Sequence, residues 1–136
     1  MHLLIGIPSY PEYIPAPMVE ALANLKVPPK VRTKIITGMK IDDARNELVK
    51  MALEGGCTHL LFLDSDNPPP QNTIARLLEA DKDIICAPVM TRKSPHVPCV
   101  FKAHDIPDNK GVKGYTNLLQ LDTSKGDVIQ VDACEP

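Results

Sequence analysis

Apolar and polar positions alternate along the first ninety residues in two distinct rhythms. Residues 3–7, Leu-Leu-Ile-Gly-Ile, form a short apolar run closed by Pro8, which predicts a buried strand. Met18, Ala21, Leu22 and Leu25 then recur at helical spacing behind Pro17, a residue suited to a first helical turn. Residues 31–37 predict a second strand ended by Gly38. The clearest helix follows, with Ile41, Ala44, Leu48, Met51 and Ala52 on one face, Asp42 and Asp43 at its start and Gly55-Gly56 at its end. Residues 59–63 read as a third strand, apolar at four successive positions as expected for a strand covered on both sides. Beyond three prolines, Ile74, Leu77 and Leu78 predict a further helix, and residues 83–89 a fourth strand.

This alternation predicts an α/β fold: an open, mostly parallel sheet flanked by helices. After Met90 the rhythm changes. Residues 91–98 are polar and contain prolines, residues 105–114 form a charged loop, and residues 99–102, 118–121 and 128–131 predict short antiparallel strands. The last of these runs into Asp132-Ala133-Cys134-Glu135-Pro136 with no helix to cover it, so the expectation is a single domain over 1–136 that has been cut short.

A length of 136 residues suits one domain, and 43% hydrophobic residues supply a core. The formal charge of −2 gives no broad attraction to nucleic acid or to an anionic membrane, so any phosphate site must be local. Aromatic residues make up 4% of the chain and Trp is absent, which argues against a base-stacking platform. No apolar run approaches the roughly 20 residues of a membrane span. The four cysteines, Cys57, Cys86, Cys99 and Cys134, form no CxxC pair, which disfavours structural zinc and a disulfide framework and suggests a reducing, cytoplasmic setting. An unfinished sheet edge would favour pairing with another copy, so a homo-oligomer is a further expectation.

The sharpest candidate chemistry lies at Leu63-Asp64-Ser65-Asp66-Asn67. Two carboxylates leave the carboxyl end of a buried strand, the end that faces the ligand crevice of open α/β sheets. Hard divalent cations take oxygen ligands, usually a few carboxylates completed by substrate phosphates. The structural alternative is that Asp64 caps the strand and Asp66 or Asn67 caps the next helix, with Asn67-Pro68 an ordinary turn.

Residues 44–49 (Ala-Arg-Asn-Glu-Leu-Val), 58–66 (Thr-His-Leu-Leu-Phe-Leu-Asp-Ser-Asp) and 81–89 (Asp-Lys-Asp-Ile-Ile-Cys-Ala-Pro-Val) together resemble family-2-type glycosyltransferases with the GT-A fold, a Rossmann-like architecture. The resemblance spans about residues 3–102 and is most specific in the middle third. It implies a nucleoside-diphosphate-sugar donor, an unidentified acceptor and a divalent cation, Mn²⁺ or Mg²⁺. By position it makes Asp66 the main metal ligand and places Asp64 on the donor's ribose or on the metal through water. Ser65 lies between them.

The same resemblance sets the nucleobase and ribose against Pro8, Ser9 and Tyr10, with Glu12 a further polar candidate. The alternative there is an ordinary Pro-Ser turn carrying a half-exposed Tyr. Arg45 and Asn46, off the apolar face of the second helix, approach the nucleotide in the resembled family, and an arginine fork suits phosphate. Equally, Arg45 could pair with Asp42 or Glu47 on a solvated face. Arg92, Lys93 and His96 border the donor and acceptor pockets in the family, or else form a solvated loop; His59 and His104 read as structural. The base that an inverting transferase needs has no assigned residue, since neither Asp132 nor Glu135 matches the segment that carries it. Two other readings stand beside this one. One is a nucleotidyltransferase, disfavoured because Pro8-Ser9-Tyr10-Pro11 replaces the expected Gly-rich loop. The other is a non-catalytic nucleotide-binding or assembly module derived from a transferase.

Overall fold

The computed structural model describes residues 1–91, 93–104, 114–117, 128–131 and 133–134. The chain divides into two compact units, Met1–Arg76 and Leu77–Pro136.

The first unit is α/β, with a small open parallel sheet of three strands, β1 (Leu3–Ser9), β2 (Val31–Thr37) and β3 (His59–Phe62), in the order β2-β1-β3. Two helices connect them, α1 (Ala16–Asn24) and α2 (Ile41–Glu54). The chain steps from β1 to one side and then crosses back to the other. Parallel crossovers are right-handed, so this reversal puts α1 and α2 on opposite faces of the sheet. Accordingly β1 is buried along its whole length, with Leu3, Ile5 and Ile7 toward one face and Leu4, Gly6 and Pro8 toward the other. Met18 of α1 and Leu48 of α2 are both fully enclosed at 0% exposure, and they anchor the two layers.

The packing of α2 on β1 is close. A Cβ built on Gly6 would stand 3.0, 3.2 and 3.3 Å from Leu48 Cδ1, Cδ2 and Cγ. Gly6 therefore provides the groove into which Leu48 fits. The helix has Ala44, Leu48 and Ala52 buried at helical spacing, Asp42 and Asp43 in its first turn where the dipole favours acids, and Gly55 as its C-cap. These features match the pattern expected from sequence.

Four expectations need correction. The first strand does not stop at Pro8 but continues to Ser9, in register with Ile36 and Thr37 of β2. The amide partners explain this. Gly6 faces β3, since its carbonyl accepts from Leu63 N at 3.0 Å, and Pro8 two residues on faces the same way. Pairing with β3 ends at Gly6–Phe62, so the missing N–H of Pro8 falls where no acceptor is required. Second, β3 is an edge strand with His59 exposed and Leu60, Leu61 and Phe62 only part-buried, because no fourth strand pairs with its outer side among the described residues.

Third, residues 83–89 form no strand. Ile84 is 93% exposed, and the chain instead folds back on itself: Cys99 N donates to Val89 O at 2.7 Å, Thr91 N donates to Val97 O at 2.9 Å, and Met90 bridges Pro98. That local antiparallel pairing uses the backbone that a fourth parallel strand would have needed, and Pro88 has no amide to offer a ladder. Fourth, residues 128–131 are not a strand; Val128 and Ile129 are 54% and 51% exposed, too open to be the inner face of a sheet.

α3 (Thr73–Glu79) follows the proline run, with Ile74 buried. The second unit carries β4 (Val100–His104), β5 (Gly114–Asn117) and β6 (Ala133–Cys134) as an antiparallel sheet in the order β5-β4-β6. The short antiparallel strand expected at residues 99–102 is thus present as β4. The strand expected at 118–121 and most of the loop expected at 105–114 lie outside the described residues. Cys99 is buried at 9% exposure, whereas Cys86 is exposed because its segment is not a strand. No helix among the described residues is long and apolar enough to cross a membrane.

The Gly6–Leu48 contact makes a direct prediction. Gly6→Ala is expected to destabilise the fold by about 1–3 kcal/mol through overpacking, seen as a lower urea midpoint. Combined with Leu48→Ala, it should cost clearly less than the sum of the two single changes, because the shortened side chain makes room for the new methyl.

Candidate functional site

The sheet order has a functional consequence. The carboxyl ends of β1 and β3 lie side by side in the parallel sheet, and in open α/β sheets that end is where ligands bind. The residues following β1 are Tyr10 and its loop; those following β3 are Leu63, Asp64, Ser65 and Asp66. The sequence therefore delivers its acidic pair to the end of the sheet where ligands of such folds bind.

Asp64 opens a tight turn that closes with Asn67 N donating to Asp64 O at 3.1 Å. Asp64 and Ser65 are half-buried and Asp66, at the third position of the turn, is exposed. Leu63 just before the turn is buried, which ties the turn to the core. The carboxylate of Asp64 accepts a hydrogen bond from Arg45 Nη2, Oδ1 to nitrogen 3.1 Å, in an ion pair whose side chains are 30% (Arg45) and 27% (Asp64) exposed. The guanidinium carbon lies 5.8 Å from the centroid of the Phe62 ring, in cation–π range. Arg45 Nε is buried and has no hydrogen-bond partner among the described residues.

This ion pair follows from the packing of α2. The helix runs back against the strand direction, so its N-terminal turns lie toward the strands' carboxyl ends. Leu48 sits over Gly6, which pairs in register with Phe62. Arg45 is three residues nearer the helix start, about 4.5 Å along the axis, and helical side chains lean toward the N-terminus. Its guanidinium is thereby carried over Phe62 to the residue two places beyond. The ion-pair partner of Arg45 is Asp64 rather than Asp42 or Glu47, which corrects the solvated-face alternative. The signal available in the sequence was the three-residue spacing to Leu48 on the buried face.

Around β1 the picture is divided. Pro8 and Ser9 are buried, Ser9 at 1% exposure. The Ser9 hydroxyl donates to Tyr13 O at 3.1 Å, and the Ser9 carbonyl accepts from Gly38 N at 3.1 Å. These bonds tie the ends of β1 and β2 to the following loop, which gives Ser9 a structural task. Tyr10 and Tyr13 are each 67% exposed, so Tyr10 is the member of the Pro8-Ser9-Tyr10 group whose side chain is open to a ligand. Glu12 lies against Gly38, whose φ of +70° suits glycine, with Glu12 Oε1 3.4 Å from the position of an added Cβ.

Two exposed residues of the basic segment, Lys93 and His96, belong to the second unit, in a loop gathered around Thr91. Thr91 Oγ1 donates to Pro95 O at 3.1 Å and accepts from Val97 N at 3.0 Å, and His96 Nδ1 lies 2.7 Å from Thr91 O. Arg92, Asp132 and Glu135 lie outside the described residues, as does the His104 side chain. His59 is exposed, with its Nδ1 2.8 Å from Thr58 Oγ1.

Among the described residues no group of three or more His, Cys, Asp or Glu side chains converges as a metal cage. Residues 64–66 offer hard carboxylate oxygens from one turn, with one carboxylate half-buried and the other exposed. Mg²⁺ and Mn²⁺ commonly bind in that manner, through one or two carboxylates with water and substrate phosphate completing the shell. The residues fit a cation that arrives with a phosphate ligand, and they do not fit an enclosed structural ion.

Comparison with protein-family models, with curated proteins and with solved structures finds no match to this chain.

The ion pair is open to direct measurement. A double-mutant cycle with Arg45→Met and Asp64→Asn should give a coupling energy of about 1–2 kcal/mol. The value should fall as salt is raised, as expected for charges that are part-exposed. A coupling near zero at low salt would remove the pair from the account of the site.

Proposed function

We propose that the first unit is the donor-binding part of a metal-dependent glycosyltransferase, acting on a nucleoside-diphosphate sugar. The supporting observation is the position of Asp64 and Asp66 on one turn at the carboxyl end of β3, next to the end of β1 in a parallel sheet. The resemblance of residues 44–49 and 58–66 to GT-A glycosyltransferases gives that position its chemical meaning.

In this reading Asp66, exposed at the turn, is the principal cation ligand, and Asp64 contributes through the ribose or through water. Bound there, Mn²⁺ or Mg²⁺ would neutralise the diphosphate as it departs. Tyr10 offers an aromatic face to the nucleoside at the end of β1, while Pro8 and Ser9 shape the backbone beneath it. Arg45 stands between the acidic turn and α2, within the reach of a phosphate that enters beside Asp64. During transfer an acceptor hydroxyl oxygen forms a bond to the anomeric carbon and gives up its proton to a base, a role to which no residue of this chain is assigned. The bond from that carbon to the diphosphate oxygen breaks, and the diphosphate takes the electron pair.

A nucleotidyltransferase fits less well. Its triphosphate is ordinarily cradled by a Gly-rich loop after the first strand, and here that place holds Pro8-Ser9-Tyr10-Pro11, with the Ser9 hydroxyl already engaged. A non-catalytic module built on the same crevice would bind nucleotide without transferring sugar.

Calorimetric titration of the full chain with UDP and with GDP, in the presence and absence of Mn²⁺, tests the proposal. Binding is expected with Mn²⁺ and should weaken by more than about ten-fold in Asp66→Ala, whose far-UV circular dichroism should match the native chain. Equal heats with and without the metal would rule the reading out.

A further inference from the structure

We propose that the outer edge of β2 docks an extended acidic peptide segment of another protein, taken up as an added strand whose acidic side chains alternate with apolar ones. This surface is independent of the sugar-transfer reading.

The backbone supplies the first half of the case. Among the described residues β2 pairs with β1 alone. Leu3 N donates to Lys30 O at 3.0 Å and Gly38 N donates to Ser9 O at 3.1 Å, which fixes the parity of the ladder. The N–H and C=O groups of Arg32, Lys34 and Ile36 therefore turn toward β1, and those of Val31, Thr33, Ile35 and Thr37 turn outward. Such an outward row of donors and acceptors is a template for one more strand.

The side chains select which strand. Lys26, Lys30, Arg32, Lys34 and Lys40 all lie between Glu20 and Asp42, with no acid among them. All five are exposed, and among the described residues none forms an ion pair, the acids of α2 included. Lys30, Arg32 and Lys34 alternate along the chain and so share the face that carries α2, about 7 Å apart; Arg32 is in register with Leu4 and Lys34 with Gly6. Arg32 leans on the end of that helix, with Nη1 2.9 Å from where a Cβ on Gly55 would stand, and the carbonyl end of a helix favours a cation. Lys30 and Lys34 keep their charge at the edge. The opposite face carries Val31, Thr33, Ile35 and Thr37, all β-branched, with Ile35 39% exposed. A strand laid beside β2 has the same two-residue alternation, so it meets one face with acids and the other with apolar side chains.

Other occupants fit less well. A second copy paired through β2 would set cation against cation. The phosphate backbone of a nucleic acid offers oxygens to the lysines but no donor to the outward carbonyls of Thr33 and Ile35, whereas a peptide offers both.

The test titrates the full chain with a fluorescently labelled peptide that alternates glutamate and valine, read by anisotropy. Binding is expected, and it should weaken as salt is raised. A peptide of the same composition with its glutamates gathered at one end should bind about ten-fold more weakly, as should the alternating peptide to Lys34→Glu. N-methylating every second amide of the peptide should abolish binding in one phase and leave it in the other, a readout that needs no change to the protein. Amide hydrogen exchange should show Thr33 and Ile35 gaining protection on binding, with Arg32 and Lys34 protected already. Absence of binding by the alternating peptide overturns the proposal and leaves the edge cations as a guard against self-association. Binding indifferent to both methylation phases overturns it too, as does a single-stranded oligonucleotide that binds as tightly as the peptide.

Discussion

The contact between Leu48 and the bare backbone of Gly6 sets the geometry of the first unit. A glycine in the middle of a buried strand costs stability through its freedom in the unfolded chain, and at this position it is offset by the close seating of α2. The side chain of Leu48 fills the space that any Cβ would occupy, with its nearest atom 3.0 Å from that point. Once that contact is made, the rotation and height of α2 along the sheet are restricted. One turn toward the strands' carboxyl ends the helix must present Arg45, and Arg45 must lie over Phe62. Packing in the core therefore dictates an electrostatic arrangement at the rim.

The carboxyl ends of β3 and β1 are built differently. At β3 the chain leaves the sheet through a tight turn whose backbone is closed by Asn67 and whose first side chain is gripped by Arg45. At β1 the strand is extended by Pro8 and Ser9, and the polar groups of Ser9 are spent on Tyr13 and Gly38. The first side presents charge; the second presents shape and an exposed tyrosine. The proposed nucleoside-diphosphate donor, with an anionic end and a flat aromatic end, would suit that division.

Much of this order was legible in the chain. The helix over residues 41–54 announced itself through its apolar spacing, its acidic first turn and its terminal glycines, all local signals. The second strand, residues 31–37, was bounded by Gly38 as expected. Strand 83–89 was misread because an apolar run bounded by turn residues specifies only a preference for extended backbone, not a partner. The choice of partner was made by a nearby antiparallel pairing between residues 89–91 and 97–99. Pro8 was misread as a terminator for the converse reason: whether a proline ends a strand depends on which neighbour its missing amide faces. That property belongs to the sheet order and not to the residue.

The candidate site divides along the same line. That Asp64 and Asp66 leave the carboxyl end of a strand could be read from a short apolar run followed by polar residues. The engagement of Asp64 by Arg45, nineteen positions earlier, could not, because it depends on how far along β1 the helix is seated. The charge beside the turn is thus set by how α2 is seated on β1, a property of the packing that no run of residues displays.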